Sequence, residues 1–252
     1  MQIVDNGYGI RKEDLPLVCE RFATSKITNF EDLSTNLNTF GFRGEALASI
    51  SHVAKVQILA RTKESPCAYR ANYLDGKMLS SQPSAGVQGT SITVEDLFYN
   101  MPTRKQAFKN YSDEYQKILD VVTKYSILYG DQKISFSCKK FGQNAPDIFT
   151  PENSSTINNI KIAYGSTVAK ELLDFSFEVN QPAVRNDGQE ELVDFKVIGK
   201  VSNANFSSKK PNFIFFINNR LIENSAIRKV IEAIYQEFLP KHTHPFIYLS
   251  IK

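Results

Sequence analysis

The stretch that most constrains this chain is Asp5-Asn6-Gly7-Tyr8-Gly9-Ile10, which follows the apolar run Gln2-Ile3-Val4. Two glycines one residue apart let the backbone turn sharply and let another group approach with no Cβ in the way. An Asp where a strand runs out is a common place for a ligand-reading residue on an α/β sheet. Its carboxylate only accepts hydrogen bonds, which suits an amino group such as adenine's. The same residues also describe a tight turn in which Asp or Asn bonds its own backbone. D-x-G-x-G alone leaves both readings open.

Two further segments bear on the choice. Ala23-Thr24-Ser25-Lys26 offers two hydroxyls and an ammonium, groups that bond ribose or phosphate oxygens but that equally end a helix in solvent. After a polar, aperiodic stretch, Gly41-Phe42-Arg43-Gly44 runs into the helix-forming Glu45-Ala46-Leu47-Ala48-Ser49-Ile50. A glycine-rich loop entering a helix presents free backbone N–H groups to an anion, and the helix dipole adds to that.

Composition excludes several classes. The 252 residues are 42% hydrophobic and 23% charged, enough to bury a core in one large domain or two ordinary ones. Cys19, Cys67 and Cys138 give neither a disulfide framework nor zinc spacing. No apolar run approaches the ~20 residues of a membrane span, and no signal peptide is visible. A net charge of +3 permits contact with nucleic acid without arguing for it.

Together, DNGYGI, TSK and GFRGEALASI resemble the MutL family of DNA mismatch-repair ATPases, within the GHKL ATP-binding superfamily. Val18-Cys19-Glu20-Arg21-Phe22, Ser51-His52-Val53-Ala54, Thr93 to Asn100 (TVEDLFYN) and Thr243-His244-Pro245-Phe246 look like the eukaryotic homologue that is the shared subunit of the repair heterodimers. The resemblance runs over nearly the whole chain. It implies an α+β fold: a GHKL (Bergerat) ATP-binding sandwich over 1–152, then a domain over 153–252 like the second domain of ribosomal protein S-five. It also implies a nucleotide site. Asp5 would accept from the adenine amino group, Gly7 and Gly9 would line the base pocket, and Thr90 would support Asp5. Thr24, Ser25 and Lys26 would lie near ribose and phosphates. Gly41, Phe42, Arg43, Gly44, Glu45, Ala46 and Leu47 would form a lid over the triphosphate.

Patterning supplies the remaining elements. Val53–Leu59, Ala68–Tyr73 and Gly89–Val94 read as strands, with Asp75-Gly76 as a hairpin turn. Asp14–Phe22 and Asp113–Tyr129 have helical spacing, and Phe98–Lys109 reads as a loop with a basic tip. Ile134–Cys138 reads as a strand closing the first domain. Beyond Pro151, helices at Thr156–Tyr164 and Ser225–Phe238 alternate with strands at Glu171–Val179, Phe195–Val201, Phe213–Asn218 and Phe246–Ile251. The segment Asn180–Glu191 reads as a polar loop. Between Ser202 and Val230, Lys209, Lys210, Arg220, Arg228 and Lys229 face Glu223 alone, so they are either a sequence-nonspecific DNA contact or a solvated face. His242 and His244 lack a third ligand nearby, so no protein metal site is assigned.

The resemblance implies ATP with Mg²⁺, a nuclear location, and partners comprising a second MutL homologue, MutS homologues and DNA. ATP binding would gate N-terminal dimerisation and DNA engagement, and hydrolysis would reset it. In the family, the general-base Glu and a Mg²⁺-holding Asn precede D-x-G-x-G, and a phosphate-reaching Lys comes from the second domain. No residue here matches them, so they are expected upstream of Met1 and beyond Lys252, and no catalytic residue is assigned. The chain alone is expected to be unstable and hydrolytically silent. Two alternatives stay open: a non-catalytic interaction module of this fold, and another GHKL ATPase.

Overall fold

The computed structural model describes residues 1–24, 44–108, 110–184 and 190–252. They form two compact units, Met1–Lys109 and Asn110–Lys252.

The first unit is built on an antiparallel sheet of five strands: β1 (Gln2–Asp5), β2 (Lys55–Arg61), β3 (Ala68–Leu74), β4 (Lys77–Ser84) and β5 (Gly89–Glu95). Their order across the sheet is β1-β5-β2-β3-β4. Side chains alternate between faces with a period of two. Val56, Ile58 and Ala60 of β2 therefore enter one core with Ala71, Tyr73 and Val94. Leu15 and Cys19 complete it, and Leu47 and Ile50 of helix α1 (Ala46–Ser51) pack against it. The Tyr73 hydroxyl donates to the Leu15 carbonyl at 2.7 Å, satisfying a buried polar group and tying the segment after β1 to the sheet. Burial pushes that phenol well above its ordinary pKa. The opposite face is polar: Gln2, Thr93, Gln57, Asn72 and Ser80 stand in register across all five strands. Gln57 Nε2 donates to Asn72 Oδ1 (3.1 Å) and Asn72 Nδ2 to Ser80 Oγ (3.0 Å).

Helix α2 (Pro102–Ala107) closes the first unit; α3 (Tyr111–Leu128), α4 (Thr156–Tyr164), α5 (Ser166–Lys170) and α6 (Ser225–Tyr235) belong to the second. Its five strands are β8 (Leu172–Val184), β9 (Glu190–Ser202), β10 (Asn212–Ile217), β11 (Arg220–Ile222) and β12 (Phe246–Ile251), ordered β11-β10-β12-β9-β8. A separate hairpin pairs β6 (Phe136–Cys138) with β7 (Ile148–Thr150). Ile214, Phe216, Phe246 and Tyr248 pack on Ile127 and Leu128 of α3, Ile160 of α4 and Val168 of α5. Val197, Phe215, Ile247 and Leu249 pack on Ile227, Ile231 and Tyr235 of α6. The sheet thus lies between two helical layers.

Several sequence expectations change. The compact units meet at Lys109/Asn110, with Ile127 and Leu128 at the end of α3 packed on β10 and β12, whereas the sequence reading placed its domain boundary after residue 152. Asp14–Phe22 is not an α-helix: a 3₁₀ turn spans Lys12–Leu17, and Pro16 lacks the N–H that a longer helix needs. The 98–109 loop contains α2, with Pro102 in its first turn. The Ile134–Cys138 strand is shortened to β6 and belongs to its own hairpin. Most of the polar segment 180–191 extends the β8–β9 ladder instead of looping out. The sequence reading omitted α5, β7 and β11. Asp75-Gly76 forms the expected hairpin turn, with φ of 51° and 77°.

One buried polar contact sets how α3 meets α4. Gly130 N bonds the Ile127 carbonyl, which draws it away from Ser126, and fully buried Asn159 donates to the Ser126 carbonyl at 2.7 Å. Asn159→Ala would leave that carbonyl unpaired and is expected to cost about 1–3 kcal/mol of unfolding free energy. Urea denaturation of wild type and variant checks this.

Candidate functional site

Asp5 is the last residue of β1 and stands opposite Thr90, the second residue of β5. Its Oδ1 accepts from Gly7 N at 2.9 Å and from Thr90 N at 3.2 Å. These two bonds fix the carboxylate plane. Asp5 is exposed, and among the described residues nothing donates to its Oδ2. An oriented carboxylate oxygen facing solvent is an acceptor for an N–H donor from outside.

The turn after Asp5 is held by backbone approaches that only glycine allows. Gly9 has φ +77°, and a Cβ there would stand 2.1 Å from the Arg61 carbonyl oxygen. Gly89 has φ +122°, and a Cβ would stand 2.1 Å from the Asp5 carbonyl oxygen. Gln88 Nε2 donates to the Gly7 carbonyl at 3.2 Å. Tyr8, between the two glycines, is 90% exposed. The sequence reading had not singled out Gln88 or Arg61: their roles depend on strand pairing, which no local pattern encodes.

A second junction lies on the same face, since Ile10 and Leu47 pack against one core. Phe22 N donates to the Gly44 carbonyl at 3.1 Å. Gly44 has φ +61°, and a Cβ would stand 2.3 Å from the Ala23 carbonyl oxygen. This brings Ala23 beside Gly44, where Glu45 and Ala46 lead into α1; Leu47 faces the core, and Thr24 follows Ala23 with a partner of its own. Ser25, Lys26, Gly41, Phe42 and Arg43 lie outside the described residues. Helix α1 is only six residues long, and Glu45 makes no side-chain cap.

The basic residues do not act as one free row. Arg228 Nε bonds Glu232 Oε1 at 3.0 Å, and its guanidinium lies 5.2 Å from the Phe213 ring centre. Glu232 lies two residues beyond the 202–230 stretch in which Glu223 is the one acidic residue. Arg220, which opens β11, is engaged as well. Lys209 and Lys210 precede β10, and Lys229 is exposed on α6. His244 Nδ1 lies 3.1 Å from Glu232 Oε1. Among the described residues, no three His, Cys, Asp or Glu side chains are grouped so that they could hold a metal ion. No described helix is long and apolar enough to cross a membrane.

Comparisons with known proteins bear on the class. The chain superposes on the crystal structure of the N-terminal domain of a DNA repair protein, with a TM-score of 0.77 and 27% identity over 99% of this chain and 74% of that one. It matches the fold of the Aquifex aeolicus MutL ATPase domain complexed with ADP, with a TM-score of 0.62 and 19% identity over 99% of this chain and 78% of that one. The fold is the GHKL ATP-binding sandwich followed by an S-five-like α/β domain.

The chain is 48% identical to the DNA mismatch repair protein MLH1 of Saccharomyces cerevisiae, over 100% of its own length and 31% of that protein. Residues 160–252 match the family described as DNA mismatch repair protein, C-terminal domain. Over nearly its whole length the chain is similar to MutL-type DNA mismatch repair proteins, including the putative MutL protein homolog 1 of Schizosaccharomyces pombe, at 46% identity over 100% of this chain and 36% of that protein. It spans about a third of the length of the curated relatives it matches.

Gly89→Ala tests the junction between strand and turn. The added Cβ meets backbone rather than a flexible side chain, so Asp5 and Thr90 must separate. Amide hydrogen exchange at Gly7 and Thr90 is expected to lose protection, with the second unit unaffected.

Proposed function

We propose that this chain is the nucleotide-responsive part of a MutL-type mismatch-repair ATPase. The observation that carries the reading is the exposed Asp5 carboxylate, oriented through Oδ1 by Gly7 N and Thr90 N, with no donor to Oδ2 among the described residues. An adenine amino group supplies the matching donor. Gly7 keeps the space beside that carboxylate free of a Cβ, and Gly9 holds the turn against the Arg61 backbone. Thr24, Ser25 and Lys26, with the segment from Gly41 to Leu47, serve the ribose and phosphates. ATP binding then draws two N-terminal halves together, one from this protein and one from a second MutL homologue. Nucleotide state thereby governs DNA engagement and the response to MutS homologues in the nucleus.

Water activation and Mg²⁺ binding are assigned to no residue of this sequence. No side chain here matches the family's general-base Glu or its metal-holding Asn, and the role proposed for these 252 residues is nucleotide binding. Their own work is to hold the base, orient the Asp5 carboxylate and present the Gly44–Leu47 corner.

Asp5→Asn replaces an acceptor oxygen with a donor and removes the charge. Loss of a charge-assisted hydrogen bond of about 1.5–3 kcal/mol corresponds to an ATP affinity about 10–100-fold weaker, read by titration calorimetry. Unchanged affinity would sink the nucleotide reading. For DNA, Lys209, Lys210 and Lys229 are the side chains proposed to meet phosphates. Replacing Lys209 and Lys210 by Ala should make the plot of log affinity against log salt shallower by about 2, since each phosphate contact contributes about 0.9. A slope equal to wild type would remove these two lysines from the interface.

A further inference from the structure

Helix α1 carries the Gly44–Ala46 corner at its start, and with six residues it is about 9 Å long. A helix this short has no stability of its own, so its direction must be imposed from outside. At its far end, three consecutive carbonyls are taken by two other segments. The Ser51 carbonyl accepts from Asp75 N at 2.9 Å, the His52 carbonyl from Asn100 Nδ2 at 2.9 Å, and the Val53 carbonyl from Phe98 N at 2.6 Å. The two segments are themselves joined, since the Tyr99 hydroxyl donates to Asp75 Oδ1 at 2.8 Å. The β3–β4 turn and the 96–100 loop therefore clasp the end of α1 as a unit.

The clasp holds costly backbone. Asp96 and Phe98 have φ of 51° and 62°, a region that a bulky aromatic residue rarely enters and keeps only when its surroundings over-determine it. Gly76, with φ 77°, lets the turn close on the His52 ring, which a Cβ would approach to 2.9 Å. Yet Tyr99 and Asn100 lie at the surface, where such bonds add little to global stability. Surface bonds that fix a strained loop to a helix end set direction more than they set stability.

We propose that Tyr99, Asp75 and Asn100 are positioning residues for the nucleotide site, acting through α1 on the Gly44–Ala46 corner. The inference rests on the nucleotide reading of that corner. Hydrogen bonding to the Asp75 carboxylate raises the Tyr99 pKa above its ordinary value, so the hydroxyl stays a donor further into the alkaline range.

The test uses the full-length protein, with ATP KM, kcat and Tm measured for Tyr99→Phe, Asn100→Ala, Asp75→Ala and Asp75→Asn beside Asp5→Asn. Tyr99→Phe and Asn100→Ala should each raise the ATP KM about fivefold, the scale of one hydrogen bond's worth of misplacement, with kcat and Tm held near wild type. Asp75→Asn keeps an acceptor oxygen and should restore most of what Asp75→Ala loses. Tyr99→Phe combined with Asp75→Ala should be no worse than the poorer single variant, since both break one contact. An unchanged KM in Tyr99→Phe, alongside a raised KM in Asp5→Asn, overturns the positioning role and leaves the nucleotide site standing. If Asp5→Asn is also without effect, the underlying reading fails too. A fall in Tm with matching losses in kcat and KM makes the clasp a structural brace, which likewise overturns the proposal.

Discussion

The pairing of β1 with β5 is the constraint on which the candidate site depends. β1 is an edge strand of four residues, and its register decides which side chain meets Thr90. A slip of one residue would send Asp5 to the polar face and bring Val4 or Asn6 in its place. Two features prevent the slip. The Asp5 carboxylate bonds Thr90 N across the ladder, and the Asp5 carbonyl lies where only Gly89 leaves room for it. The residue that would read a ligand therefore also sets the register that positions it. Charge and geometry at Asp5 cannot be varied independently.

The second unit uses buried polar groups in a comparable way. Apolar surface alone would let helices slide over the central sheet. Asn159 donates to the Ser126 carbonyl, Phe246 N donates to Ser202 Oγ, and the Tyr235 hydroxyl donates to the Ser202 carbonyl. Each bond is satisfied in one relative placement only, and in a low-dielectric interior the unsatisfied alternatives are costly. Apolar burial drives these layers together; the polar contacts select their alignment.

What could be read in the sequence divides along the same line. Elements with local signals were legible: the Asp75-Gly76 turn, α4 behind its Ser155 cap, and β12 with its apolar run. Three-residue strands such as β7 and β11 carry too little pattern to register. β11 also begins after Asn218-Asn219, a hairpin turn made without glycine, with φ of 47° and 63°. The β8–β9 extension shows no sustained two-residue alternation in sequence, with Pro182 inside it, so nothing in its pattern separates ladder from loop. Helix α2 did announce itself, through Pro102 in its first turn, beneath a basic run that reads equally well as loop. In the site, Asp5 and Thr90 lie 85 positions apart and meet only through the sheet. Resemblance connected them; spacing could not.

Electrostatics show why a residue list differs from a binding surface. A net charge of +3 spread over 57 charged side chains (30 basic and 27 acidic) provides little general attraction for a polyanion, so any such attraction has to be local. Arg228 is an unsuitable source. Its charge is met by Glu232 one helical turn away, and its guanidinium is spread over Phe213, so it works as packing between α6 and β10. Glu232 is also within bonding distance of His244, which ties α6 to the segment entering β12. Release of Arg228 to a phosphate would thus cost a contact that holds α6 in place. The exposed lysines carry no comparable structural debt. Lys229 stands on the solvent side of α6, and Lys209 and Lys210 lie in the turn before β10, where a compact ammonium on a flexible stem can follow a phosphate chain without reading its bases.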